Sequence, residues 1–269
     1  MKAIVVIPIY REEPNNDEIT SLKQVFKVLS AHNICFACPQ NLDTGLYEKI
    51  VKRSVETQRF SDHFFNSISA YSNLLVTNEF YKRFRSYDYM LIYQLDAWCF
   101  YDNLNYWCEL GYDYIGAPWF ENYKTHEDGA KLWRVGNGGF SLRRIKYFIS
   151  ITDTSSRLYT FCDFFNRYGN SFKELKKGFS MLLYRNFGWY RKSKKYFWED
   201  VYFCDLNYKF NVPTPQIAAE FSFEQSPAFL YKQIGKLPFG CHAYKKNQYN
   251  EFWSKYIPEH FAEDKEIIL

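Results

Sequence analysis

The sequence predicts an α/β fold with a mostly parallel, doubly wound sheet, and three observations carry that reading. Residues 3–8 (AIVVIP) and 34–38 (ICFAC) are short apolar runs of the kind that fills buried strands. The stretch between them has helical spacing: Ile19, Leu22, Val25, Phe26 and Leu29 fall on one face. A third run, residues 87–95, ends at Asp96, so strands and helices alternate as they do when crossover helices join parallel strands.

Taken in order, residues 3–8 form the first strand. Asn15, Asn16 and Asp17 are cap residues for the following helix, because their short polar side chains can accept from its free amides. Residues 34–38 form the second strand, stopped by Pro39. Residues 71–84 read as one helix with Tyr71, Leu74, Leu75 and Phe80 inward, followed by the strand 87–95. Further along, the pattern predicts a helix over 104–110, strands over 112–117 and 139–143, a helix over 144–151 and a helix over 199–208. Residues 213–238 read as loop and short strand, and 259–269 as an acidic tail. No internal repeat or low-complexity linker interrupts the chain. One domain over 1–258 is expected, with halves 1–120 and 121–258 and a tail 259–269.

Composition narrows the function. Hydrophobic residues at 47% and charged residues at 24% exclude global disorder. Aromatic residues reach 21%, an excess that serves core filling or stacking on sugars and bases. The seven cysteines are odd in number and scattered, which fits reduced thiols rather than a disulfide framework. Cys35 and Cys38 form a CxxC without a second pair, a weak zinc or redox signal. The first apolar run is too short for a signal peptide or a membrane span, so a soluble cytoplasmic protein is expected. Net charge is +4, but residues 173–195 hold eight basic residues against one acid, a net +7, which leaves −3 elsewhere. That basic, aromatic insertion fits a solvated segment or a peripheral contact with an anionic inner-membrane surface. The modest total charge and the lack of a recognised binding module argue against a nucleic-acid partner.

Four segments carry candidate chemistry. Asp96, at a strand end, suits a hard divalent cation or a helix cap. Gly136-Asn137-Gly138-Gly139 permits close backbone approach, as a ligand loop or as a tight turn; it matches neither a dinucleotide fingerprint nor a Walker loop. Glu199 and Asp200 open a helix, where acids are favoured electrostatically, and one of them suits a general base. His242 follows Gly240-Cys241, as a core imidazole or, with Asp96, a metal ligand.

On these residues the chain resembles glycosyltransferases of the GT-A fold. More narrowly, it resembles a bacterial family of uncharacterised domains through the blocks YQLDAW (93–98), GYDYIGAPW (111–119), GNGGFSLR (136–143), WED (198–200) and FGCHA (239–243), over roughly residues 3–258. It is distantly similar to β-1,4-galactosyltransferases. The resemblance implies a GT-A-like domain with a Rossmann-like sheet, residues 1–120 serving a nucleotide-sugar and 121–258 an acceptor. It further implies donor contacts from Pro8, Tyr10, Arg11, Gln94, Asp96, Gly138 and Gly139, and Mn²⁺ or Mg²⁺ held by Asp96 and His242. Asp200 is the implied inverting base with Glu199 beside it; on that reading Glu199 and Asn137 are expected to bind the acceptor, and Trp98 and Trp119 are candidate faces for stacking on it. Gln94 stands where those enzymes carry the first acid of an Asp-x-Asp motif, so metal independence is a corollary. The partners so implied are a UDP-sugar and a glycan or lipid-linked acceptor in bacterial surface polysaccharide assembly. A nucleotide-sugar or carbohydrate-binding protein without turnover is the alternative.

Overall fold

The computed structural model describes residues 1–153, 172, 175, 176, 179, 198–205 and 210–261. The basic insertion at 173–195, apart from the positions just given, and residues 206–208 and 262–269 lie outside the described residues.

The fold is α/β, with a central, mostly parallel six-stranded sheet flanked by helices. Its strands are β1 (Ala3–Pro8), β2 (Asn33–Pro39), β3 (Glu56–Phe60), β4 (Tyr89–Tyr93), β6 (Tyr114–Ile115) and β9 (Phe140–Arg144). Their order is β3-β2-β1-β4-β9-β6, with β1 to β4 parallel and β9 antiparallel to both β4 and β6. β1 and β4 are buried throughout, as their unbroken apolar runs require for strands covered on both faces. The chain builds outward through β2 and β3, then returns to lay β4 on the other side of β1. The carboxyl ends of β1 and β4 are therefore a topological switch point, the usual ligand crevice of open α/β sheets.

Helix α1 (Asn16–Val28) begins with a capping box: the Asn15 side-chain oxygen Oδ1 accepts from the Glu18 backbone amide, and the Asn15 backbone amide donates to the Glu18 carboxylate, both at 2.9 Å. Helix α2 (Gly45–Val51) lies between β2 and β3. The helix expected over 71–84 is two, α3 (Ile68–Leu75) and α4 (Asn78–Arg83). The division falls at Thr77, whose extended backbone and hydroxyl cap α4 by accepting from the Phe80 amide. Helix α5 (Leu104–Glu109) precedes β6, which is shorter than the predicted 112–117, and α6 (Ile145–Thr152) follows β9. Edge strand β3 escapes the apolar pattern because its sequence ETQRF is polar and mostly half-exposed.

Residues 213–238 are more helical than the sequence reading expects. After α7 (Glu199–Asp205) come α8 (Pro215–Phe221) and α9 (Pro227–Ile234). Each begins with proline in its first turn, where the missing amide costs nothing, and Thr214 caps α8. A second sheet, β10 (Ser222–Phe223), β11 (Gly240–Cys241) and β5 (Trp98–Cys99), and a hairpin of β7 (Pro118–Phe120) with β8 (Leu132–Val135) complete the described strands. A second aromatic cluster that includes Trp98, Phe223, Tyr244 and Trp253 packs around that small sheet.

Five described cysteines are free and buried, Cys35 and Cys38 among them. Burial pushes the Cys35 thiol up to about 12, so it is inert at neutral pH. Among the described residues no helix is long and apolar enough to cross a membrane.

Candidate functional site

Strand register brings the four sequence segments to one place. Asp96 lies in the turn after β4, where the Gln94 amide donates to the Gly139 carbonyl at 2.8 Å. Because β9 runs antiparallel to β4 and pairs Phe140 with Tyr93, the loop 136–139 emerges at the same edge. In the second sheet Cys241 pairs with Trp98 and with Phe223, so His242 stands beside the Asp96 turn on one side and Glu224 on the other.

His242 is the hub. Its Nε2 lies 3.1 Å from Asp96 Oδ1 and 3.1 Å from Gln94 Oε1, and its Nδ1 lies 3.1 Å from Glu224 Oε1 and 3.2 Å from Asn137 Nδ2. Burial disfavours the charged ring, but Asp96 and Glu224 outweigh it and raise the His242 pKa to about 10. Burial would likewise raise Asp96, yet His242 and Lys246 hold its carboxyl down at about 2. Lys246 Nζ stands 3.6 Å from Asp96 Oδ2 and is largely exposed.

The paired glycines are required by close approach. A Cβ on Gly139 would come 2.0 Å from His242 Nε2, and one on Gly138 would come 2.0 Å from Glu199 Oε1. Asn137 has φ of +67°, a left-handed conformation that asparagine tolerates better than most residues. Its side-chain oxygen accepts from the Gly139 amide at 3.0 Å.

The two acids of α7 divide. Glu199 is buried and pairs with the fully buried Arg143 at 2.9 Å, while its other oxygen accepts from Ser72 at 3.2 Å. Arg143 also donates to Tyr81 Oη at 2.9 Å. Asp200 instead faces the glycine loop, with Oδ2 accepting from the Gly138 amide at 2.9 Å. Burial, then the neighbouring Glu199 charge, pushes the Asp200 carboxyl up to about 7. A carboxylate near neutrality at a sheet edge has the acidity a general base needs. Trp198, just before it, is half-exposed.

The remaining sequence candidates are placed less uniformly. Pro8 is buried at the end of β1, and Tyr10 is exposed and near enough to Asp96 to feel its charge. The Arg11 guanidinium pairs with Glu18 at 2.5 Å, fixing the loop to the cap of α1. Trp98 and Trp119 are 3% and 6% exposed. Trp98 packs on Tyr244 and Trp119 on Gly136, so neither presents the open ring face that acceptor stacking needs. Glu224 and Lys246 are absent from the sequence reading. Only the pairing of β10 with β11 draws Glu224 to the histidine, and no spacing signal encodes that.

Among the described residues no group of three or more His, Cys, Asp or Glu side chains makes a complete metal cage. Asp96, Gln94 and His242 Nε2 would suit Mg²⁺ or Mn²⁺, which take one or two protein carboxylates and complete their shells with phosphate oxygens and water; a cation there would displace the Nε2 proton that Asp96 otherwise holds. Glu224 at Nδ1 supplies the outer partner that metal-bound imidazoles usually have.

This architecture is the GT-A-like fold of glycosyltransferases. Mouse xyloside xylosyltransferase 1, in its apo form, superposes over 90% of this chain and 97% of its own at 10% identity, with a TM-score of 0.51. Two further structures are similar at lower scores. The apo glycosyltransferase GlyE of Streptococcus pneumoniae matches at 12% identity over 90% of this chain and 54% of its own, TM-score 0.46. Core-mannan synthase A of Aspergillus fumigatus, in a Mn/GDP form, matches at 12% identity over 66% of this chain, TM-score 0.40, and this chain spans 65% of that protein's length. No curated protein matches the sequence. Residues 54–242 match the family described as "Protein of unknown function (DUF5672)", and the chain belongs to that family.

Proposed function

We propose that the protein is an inverting, nucleotide-sugar-dependent glycosyltransferase that transfers a sugar to a hydroxyl of a glycan or lipid-linked acceptor. The convergence of Asp96, His242, Gly138, Gly139 and Asp200 at one switch point carries this reading. The exposed Tyr10, which feels the Asp96 charge, and the loop 8–11 at the end of β1 suit the donor base and ribose. The Gly138-Gly139 backbone lets His242 and Glu199 close on the loop that would face the sugars, and Asn137 contacts His242 beside it. Asp96, Gln94 and His242 would hold Mn²⁺ or Mg²⁺, which when bound neutralises the donor diphosphate as a Lewis acid.

Asp200 takes the proton of the acceptor hydroxyl. The freed oxygen bonds to the anomeric carbon while the bond to the diphosphate breaks on the opposite face, and the nucleoside diphosphate leaves with that electron pair. Glu199, committed to Arg143, sets the orientation and acidity of Asp200 rather than touching the acceptor. A UDP-sugar donor, peripheral membrane attachment through 173–195 and a role in bacterial surface polysaccharide assembly follow from the sequence resemblance alone.

The test is a thermal-shift panel of UDP-, GDP-, CMP- and dTDP-sugars with Mn²⁺, Mg²⁺ or EDTA, since a ligand that binds the folded state raises its stability. A shift with one nucleotide class, abolished by EDTA and by Asp96→Ala, supports the reading. A shift that survives EDTA supports a metal-independent transferase, in which His242 and Lys246 supply the positive charge beside Asp96. No shift with any donor contradicts the reading.

A further inference from the structure

With Trp98 and Trp119 buried, exposed aromatic surface remains at Trp198, beside Asp200, and on the β7–β8 hairpin. Trp133 is 37% exposed and Tyr123 is 44% exposed. Trp119 pairs with Arg134 and Phe120 pairs with Leu132, so Trp133 is an extra residue on β8, a β-bulge. Bulges re-aim side chains and cluster beside active sites. The Arg134 guanidinium lies 4.1 Å from the Trp133 ring centroid and braces the indole. Tyr123 stands edge-on to Trp133, centroids 5.7 Å apart, and edge-on to Trp119, centroids 5.2 Å apart.

The backbone beneath this pair is unusual. Asn122 and Tyr123 are both left-handed, with φ of 56° and 57°. A bulky aromatic residue seldom adopts that conformation, and such strain concentrates at functional sites. Trp119 connects the pair to the candidate site: a Cβ on Gly136 would lie 2.3 Å from its ring, and Gly136 precedes Asn137 and Gly138. The exposed aromatics are thus one buried ring away from the loop that holds Asp200.

Building on the glycosyltransferase reading, we propose that Trp133 and Tyr123 form a carbohydrate subsite that stacks a pyranose ring of the acceptor glycan. A pyranose presents an apolar C–H face and hydroxylated edges, which suits a rigid aromatic with a polar surround. Two partly exposed rings match one sugar, whereas a protein partner needs roughly 20–30 residues on each side.

The experiment is ligand-observed NMR titration of wild type, Trp133→Ala and Trp133→Phe with neutral tetrasaccharides of glucose, mannose, galactose and N-acetylglucosamine. Each protein is also titrated with nucleotide-sugars plus Mn²⁺. At least one tetrasaccharide is expected to bind wild type, about fivefold to tenfold more weakly to Trp133→Ala, and within about twofold to Trp133→Phe. Nucleotide-sugar binding is expected to be equal in all three. The subsite is overturned if no tetrasaccharide binds, or if Trp133→Ala binds as well as wild type. If tetrasaccharide binding depends on Trp133 but no nucleotide-sugar binds, the subsite stands and the transferase reading fails.

Discussion

Glu224 holds Nδ1 of His242 at 3.1 Å, on the side of the ring away from Asp96 and Gln94. With Asn137 Nδ2 at 3.2 Å from the same nitrogen, this contact sets which nitrogen faces Asp96 and Gln94. The register of β10 on β11 and of β11 on β5 places all three groups in a row. Glu224→Ala is expected to lower the Mn²⁺ dependence of donor binding about 10–100-fold, the usual cost of losing an outer partner. Glu224→Gln, which retains an acceptor for Nδ1–H, is expected to retain most of it. A Mn²⁺ titration of the donor-induced thermal shift reads both.

If Asp200 is the base proposed above, it sets the pH dependence. With its folded pKa near 7, kcat/KM is expected to fall about tenfold per pH unit below that value, as the base becomes protonated. Stability moves the opposite way. The folded state binds this proton more tightly than the unfolded chain does, so stability declines as pH rises from about 4 to about 7. Asp200→Asn removes that penalty: it is expected to be inactive yet to melt at a higher temperature than wild type at pH 8, with the difference vanishing near pH 4. Melting curves at the two pH values check this.

Arg143 and Glu199 form a buried ion pair, and removing one partner strands the other. Arg143→Leu is expected to cost about 3–5 kcal/mol of stability, read by urea unfolding. Glu199→Gln is expected to lose stability without abolishing the acid limb of the pH profile, which separates its role from that of Asp200.

Gly139 has no room for a side chain. Gly139→Ala would push a methyl group against His242 Nε2, and is expected to abolish metal-dependent donor binding while the protein still folds. Circular dichroism together with the Mn²⁺ titration distinguishes this from simple unfolding.

Much of the candidate site is legible in the sequence because each segment carries its own local signal. Asp96 ends an unbroken apolar strand, Gly138 and Gly139 announce close approach, and the acids 199 and 200 open a helix. The first two strands are equally plain, being apolar over 3–8 and 34–38. What escaped depends on contacts between distant segments. Glu224 is one polar residue among many until β10 pairs with β11. The division of labour between Glu199 and Asp200 is set by Arg143, 56 positions away. Trp98 and Trp119 look like stacking faces because aromatic composition does not reveal burial, while Trp133 is turned outward by a bulge that no periodicity encodes. The proline-initiated helices α8 and α9 were readable from Thr214-Pro215 and Ser226-Pro227, and mixed composition obscured them.

The most direct test is release of nucleoside diphosphate from UDP-glucose, UDP-galactose, UDP-N-acetylglucosamine and GDP-mannose with Mn²⁺ and a mixture of oligosaccharide acceptors, using wild type, Asp96→Ala and Asp200→Asn. Release from one donor by wild type, lost in both folded variants, is the predicted result. No release from any donor, or undiminished release by Asp200→Asn, contradicts the account.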